Sequence, residues 1–470
     1  MPEFLYRFRP VESLLGTAER ESELRGRYIY FASPSQLNDP QEGFRDIVWR
    51  GDMVVWRNLL KHFFTSLAVR NYQYFSPTSF DDLDFPIAIQ YSEAEPRTRA
   101  RLLSAIDEFL NNSNVKRHLN LLSSNGRSVR RIELLLHLRA LHPLAMHVIS
   151  KILAEQNFIT KGFGINGAKE DELLVGSNAI LDDISTKGGA YDQLEKIGFT
   201  KSSLSVLMHE DLMERYDRWK SETPVKWLRL NADFPEEYAD HLDRLCTPAW
   251  YVACFMDGCE NSAIWGSYGE NHRGVCLKFR TEDLKGKRTL TLDAPAYHPT
   301  VENWWAAKTL EFYKVDYESE HVDLDFFRSL AGVPAPILQS DWYTGPNGQP
   351  SVCAADVFKD IDSWRNKFWK MYQQSITSKT RHWKSESEYR LLLTTNFQNA
   401  VPAKDRCLRY KFDALEGIIF GIKTPTDEKF KIMRLVEELC LSHSRNNFNF
   451  YQAYYDPTSK DIKHMLIATF

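Results

Sequence analysis

A chain of 470 residues with 43% hydrophobic and 13% aromatic side chains can bury a full core, which excludes disorder as its dominant state. Its length suggests two or three structural units of about 150 residues each. The 59 basic and 63 acidic residues leave a formal net charge of -4, which excludes a chain that coats nucleic acid along its whole surface but leaves local basic patches open.

The N-terminal MPEFLYRFR places charge where a signal peptide needs its apolar stretch, so no secretion signal is expected. A sheet begins nearby: residues 28–33 (YIYFAS) alternate aromatic and small residues, and Pro34, Asn38, Asp39 and Pro40 then punctuate the chain. From about residue 49 to 241 apolar residues recur at helical spacing, as in Leu102, Leu103, Ile106, Phe109 and Leu110. Glycine-bearing connectors at 161–169 and 185–190 divide this stretch, which reads as a helical insertion. Its most apolar part, 134–152, contains His137, Arg139, His142, Pro143, His147 and Lys151, so it reads as a helix of a soluble protein with no membrane partner.

Strand signals return at 250–255 and 274–279 (GVCLKF). A Pro/Gly-rich loop over 332–351 precedes a helix around 357–372, and strands follow at 389–395 and 417–420. Thr424, Pro425 and Asp427 form a capping box with proline at the first helical position, opening a helix to about Leu441. Two last strands, 449–455 and 463–469, are joined by the turn Asp456-Pro457-Thr458-Ser459 and predict a hairpin. The fold class is therefore α+β: a mixed or antiparallel sheet core in residues 1–48 and 246–470, with a large α-helical insertion at 49–245.

Cys246, Cys254, Cys259, Cys276, Cys353, Cys407 and Cys440 lack Cys-x-x-Cys pairs or neighbouring histidines, so they predict reduced thiols in a cytoplasmic protein and no metal site. Residues 162–167 (GFGING) match the dinucleotide fingerprint by letter, but they follow a helical stretch instead of a strand. Residues 417–424 (GIIFGIKT) have the element order of a phosphate loop, yet Ile422 separates glycine from lysine and Pro425 removes a donor. His137, His142 and His147 recur every five residues, about 500° around a helix, and so do not share a metal-binding face. Neither Gly-x-Ser-x-Gly nor His-Glu-x-x-His occurs.

Polar residues in strand or turn contexts remain: Tyr6-Arg7, Asn38-Asp39-Pro40 with Glu42, Trp265 with Tyr268, and Glu386-x-Glu388-Tyr389-Arg390. Through LYRFRP, YIYFASPSQLNDPQEG, SAIWGSYGENHRGVCLKF and KTRHWKSESEYRLLL the chain resembles a bacterial domain family of unknown function marked by Asn-Asp-Pro, Trp-x-x-Tyr and Glu-Tyr-Arg. That family in turn resembles the ADP-ribosyltransferases, which implies a split sheet and cleavage of the nicotinamide–ribose bond of NAD. ADP-ribose would pass to a protein or nucleic-acid acceptor, in a toxin or phage-defence effector. The resemblance implies Glu388 as catalytic acid, with Glu386, Arg7 and Tyr268, and Ser262 as an alternative to Tyr268. It implies Tyr6, Arg7, Ser33, Asn38, Asp39, Trp265 and Tyr268 around NAD. The chain lacks the Ser-Thr-Ser triplet and first-strand His-Gly of better known members.

These residue types suit that chemistry. Breaking the bond to nicotinamide develops positive charge on the ribose, which a carboxylate beside it stabilises more than the ground state. Arg7 could hold pyrophosphate or ribose, Tyr268 or Trp265 could face the nicotinamide ring, and Glu386, on the strand face of Glu388, could activate the acceptor. The blander reading makes Glu386, Glu388 and Arg390 a solvated strand edge, Asn38-Asp39-Pro40 an ordinary Asx turn, and Trp265 with Tyr268 a core stripe. Two other functions compete. A metal-dependent nuclease would use Asp39, Glu42, Glu386 or Glu388 for Mg²⁺ with Lys384 assisting, and a non-catalytic sensor would bind a partner protein on its helical insertion. The basic aromatic run 379–384 suits phosphate and base contacts, or a helix end with snorkelling side chains.

Overall fold

The computed structural model describes residues 2–39, 41–43, 45–75, 96–124, 127–158, 172–186, 212–213, 216, 220, 230, 233–296, 304–318, 323–394 and 402–470. The GFGING segment, the 161–169 connector, most of the 185–190 connector and Pro40 lie outside them. The chain forms two compact units, one of residues 1–44, 249–321 and 372–470 and one of 45–248 and 322–371. Residues 322–371, expected with the sheet, therefore group with the helices.

Strands are numbered along the chain: β1 (Phe4–Arg9), β2 (Tyr28–Tyr30), β3 (Asp46–Trp49), β4 (Val129–Arg130), β5 (Trp250–Met256), β6 (Val275–Arg280), β7 (Glu282–Leu284) and β8 (Lys287–Pro295). Then come β9 (Trp305–Lys314), β10 (Asp323–Asp325), β11 (Glu388–Thr394), β12 (Cys407–Tyr410), β13 (Leu415–Phe420), β14 (Asn449–Asp456) and β15 (Asp461–Thr469).

The first unit holds a 12-stranded sheet in the order β15-β14-β13-β6-β1-β5-β11-β9-β8-β12-β2, with β7 beside β8. The β13–β14 pair is parallel and the other pairs are antiparallel, so the unit is α+β with a mixed, mainly antiparallel sheet. The expected hairpin forms as β14 and β15, while the β8–β9 hairpin was not anticipated. The capping box at 424 does not form. Pro425 is the N-cap of helix Thr426–Ser442, without a side-chain cap, and Thr424 Oγ1 instead donates to the Gly274 carbonyl at 2.8 Å.

Alternation along β1, β5, β6 and β11 divides two faces. On one, Leu5, Phe255, Leu277, Phe279, Tyr389 and Leu391 join a core with Leu14, Leu24, Ile432 and Val436 from helices Val11–Leu15, Glu23–Gly26 and Thr426–Ser442. Each such buried side chain contributes about 1.5–3 kcal/mol. On the other, Phe8, Met256, Trp265, Cys276 and Ile419 form a smaller cluster.

The second unit packs Trp56, Phe63, Phe64, Phe109, Leu138, Phe234 and Trp342 into one core, beside the short sheet β10-β3-β4. His118, His137 and His142 are buried among its helices. His118 Nδ1 lies 2.7 Å from Asn178 Oδ1 and His137 Nε2 lies 3.2 Å from Glu133 Oε1, so these rings serve packing and helix contacts. Among the described residues, helix Arg131–Glu155 is long and apolar enough to cross a membrane, and most of it is buried inside the protein.

Candidate functional site

β11 lies between β5 and β9, so Glu388 and Arg390 are interior residues and not a solvated edge. Register opposes Glu388 to Met256 and Arg390 to Cys254, and Tyr6 of β1 also opposes Met256. Tyr6, Met256, Glu388 and Arg390 therefore share one face. Arg7 and Tyr389, one residue on, point to the other.

Arg7 is thus not opposite Glu388; the sheet separates them. Its Nη1 donates to the Cys254 carbonyl at 3.0 Å, its Nη2 to the Tyr30 carbonyl at 3.1 Å, and its guanidinium sits 5.5 Å from the Phe255 ring centre. Burial, with Arg9 adding to it, pulls its pKa down to about 10. This guanidinium is a structural tie between strands, and its expected role against NAD is corrected.

On the opposite face five charged side chains gather. Glu42, Glu386, Glu388, Lys379 and Arg390 are 7%, 4%, 1%, 6% and 0% exposed, an unusual concentration of buried charge. Arg390 Nε donates to Glu388 Oε1 at 2.8 Å, and its Nη2 donates to Glu388 Oε2 at 3.1 Å and to Glu42 Oε2 at 2.6 Å. Lys379 Nζ lies 2.8 Å from Glu42, 2.7 Å from Glu386 and 3.4 Å from Glu388. Its ammonium also lies 4.5 Å from the Trp383 ring centre.

Local structure places these groups. Asp316 N donates to the Thr377 carbonyl and Lys379 N to the Asp316 carbonyl, which holds the lysine beside the end of β9. A 3₁₀ turn, Arg381–Glu386, delivers Glu386, and Ser387 at φ 46° turns the chain into β11. Glu386 therefore reaches the cluster from a turn, and not as the strand neighbour of Glu388 that the Glu-x-Glu spacing suggested. Glu388 N donates to the Tyr317 hydroxyl at 2.9 Å, a contact with no local sequence signal.

The carboxylates are electrostatically unlike. Burial, reinforced by Glu388, holds Glu42 above the ordinary carboxylate range despite Arg390 and Lys379. Burial also opposes ionisation of Glu388, but Arg390 and Lys379 outweigh it and hold that group below the ordinary value. Three carboxylates face two cations, so the cluster carries an excess of acidic groups, and burial resists ionisation most visibly at Glu42.

Tyr268 caps helix Ser262–Ser267 and donates from its hydroxyl to Glu386 Oε1 at 2.7 Å. Asn38 lies beside the same phenol, and Thr380 Oγ1 donates to Asp39 Oδ2 at 3.4 Å. Tyr268 also lines a cleft of about 600 Å³ with Pro10, Ser13, Arg20, Ser267 and Glu270. Asn38, Asp39, Tyr268, Glu386 and Glu388 are thus brought together.

Four other expected residues are not. Trp265 is fully buried, edge-on to Phe8, with its indole N–H donated to the Cys259 carbonyl at 2.8 Å, so it offers no ring face to a nucleotide. Tyr6 packs with the Trp265 cluster. Ser33 takes part in the turn at Pro34–Gln36, its backbone N bonded to Gln36 Oε1. Ser262 is exposed, its hydroxyl 3.5 Å from His272 Nε2. Lys384, assigned to a nuclease site, is exposed and paired with Glu318 at 2.8 Å.

Residues 264–391 match a family model described as Protein of unknown function (DUF2971). The matched segment begins in helix Ser262–Ser267 and ends in β11, so the Tyr268–Glu386 hydrogen bond joins its two ends. No curated protein and no solved structure matches the chain.

Proposed function

We propose that this chain is an ADP-ribosyltransferase-like enzyme that breaks the nicotinamide–ribose bond of NAD. The observation that carries the reading is the Tyr268–Glu386 contact, which links an aromatic at the rim of a cleft to a buried cluster holding one ionised and one protonation-prone glutamate. Glycosyl transfer needs one carboxylate to stabilise the cationic sugar and a second group to handle a proton. Glu388, kept ionised by Arg390, supplies negative potential to the oxocarbenium-like ribose. Glu386, bonded to the phenol at the cleft, accepts the proton of the attacking nucleophile as nicotinamide departs with the bonding pair. Arg7 has no part in this scheme, and the split-sheet resemblance belongs to the same proposal.

Full pairing of the cluster favours a second, non-catalytic reading in which the same charges lock the end of β11 in a sensor scaffold. The metal-dependent nuclease reading loses ground because Lys379 and Arg390 occupy the positions between the carboxylates where Mg²⁺ would sit. Incubation of purified protein with NAD, followed by nicotinamide release, separates these readings. The wild type is expected to release nicotinamide with or without chelator, and Glu388→Gln to do so about 10²–10³-fold more slowly. Absence of release from wild type under both conditions would support the scaffold.

A further inference from the structure

On the sheet face that carries Tyr6, three potential metal ligands converge away from the charged cluster. Cys259 and Glu260 form the turn after β5, and His464 lies on β15, 205 residues from Cys259. Cys259 Sγ is 3.4 Å from His464 Nδ1 and 4.0 Å from Glu260 Oε1. One ligand atom from each of the three lies within 4.8 Å of the others. Around a tetrahedral zinc ion, with metal–ligand bonds of about 2.0–2.3 Å, neighbouring ligand atoms stand about 3.5 Å apart. The observed separations already approach that spacing.

The scaffold is fixed from both sides. The Cys259 carbonyl accepts from the Trp265 indole at 2.8 Å, and the Glu260 carbonyl accepts from Ile462 N at 3.1 Å, two residues before His464. Glu260 Oε2 accepts from Cys259 N at 2.8 Å, leaving Oε1 turned to the thiol. Tyr451 packs edge-on against the His464 ring, with centroids 5.3 Å apart. Such outer contacts orient metal ligands. Cys259 is buried, His464 half-buried and Glu260 exposed, so an ion has a solvent-facing approach and an open fourth position.

We propose that Cys259, Glu260 and His464 bind a thiophilic divalent cation, with zinc the best fit. The thiolate and carboxylate together neutralise the ion, and neutral imidazole completes a mixed S, N, O set. On binding, the Cys259 thiol loses its proton to solvent as the sulfur–metal bond forms. The ion then ties the turn after β5 to β15. A buried catalytic thiol is the weaker alternative, because burial holds the Cys259 thiol protonated and Glu260 contacts the thiol instead of orienting the imidazole.

Titration of the full chain with Co²⁺, read by absorption, tests the assignment. One equivalent is expected to give a thiolate-to-cobalt band in the near ultraviolet with tetrahedral visible bands, and Zn²⁺ to abolish both by displacement. Cys259→Ser should remove the thiolate band, while the surface change Glu260→Gln, which spares the buried thiol, should weaken binding roughly tenfold or more. Absence of a thiolate band in wild type, or a band unchanged in folded Cys259→Ser and Glu260→Gln proteins, would overturn the proposal.

Discussion

On one face of the sheet Arg7 spends its guanidinium on two backbone carbonyls beside Phe255; on the other, Glu42, Glu386, Glu388, Lys379 and Arg390 satisfy one another. Both faces bury charge, but by different means. The arginine is solvated by backbone dipoles and holds strands together, whereas the five-membered cluster depends on every partner being present. Buried ion networks are seldom the most stable way to fill a core, so a cluster of this size points to a role beyond stability.

Substitutions break that comparison in a graded way. The largest loss is expected from Arg390→Ala, which leaves Glu388 and Glu42 with Lys379 as their one remaining cation in the cluster; about 3–5 kcal/mol should disappear in urea unfolding. Arg7→Met leaves two carbonyls short of a donor and should cost about 1–3 kcal/mol by the same measurement. Equal losses from the two changes would remove the distinction between the faces. Lys384→Ala breaks an exposed, solvent-screened pair with Glu318 and is expected to leave the urea midpoint unchanged.

The two glutamates predict opposite pH slopes. Glu388, held low in the folded state, adds stability that is present above the ordinary value of 4.5 and is lost as pH falls through its depressed folded pKa. Glu42, held high, adds stability that is present below 4.5 and is lost as pH rises toward its raised folded pKa. Compared with wild type, Glu42→Gln should therefore fall off less as pH rises above 4.5, and Glu388→Gln should fall off less as pH drops below it. Unfolding curves taken across that range check both signs; identical slopes in the two variants would contradict the assigned directions.

Much of the site was legible locally. Strand alternation alone puts Glu388 and Arg390 on one face and turns Tyr389 and Leu391 to the other, where they lie in the core. Tyr268 meets Glu386, Asn38 lies beside that phenol, and Asp39 bonds Thr380, the neighbour of the Lys379 that pairs with Glu388. What failed was parity. Tyr6 and Arg7 are adjacent, and only the register of β1 against β5 decides which faces Glu388. Lys379 belongs by sequence to a basic aromatic run suited to phosphate contacts or a snorkelling helix end, and its burial follows from a bridge between residues 316 and 378 that no local pattern announces. Trp265 and Tyr268 share a short helix, yet one is core and the other reaches the cluster; helical spacing alone assigned them the same fate. The pairing of Cys259 with His464 was hidden by its sequence separation, since motif spacings search only nearby ligands.

The most direct test of the account compares nicotinamide release from NAD by wild type, Tyr268→Phe and Arg7→Lys proteins, each confirmed folded. The account predicts release by wild type, a loss of about tenfold or more in Tyr268→Phe, and a rate within about twofold of wild type in Arg7→Lys. A silent wild type, or activity that survives loss of the Tyr268 hydroxyl but collapses with the change at Arg7, would contradict it.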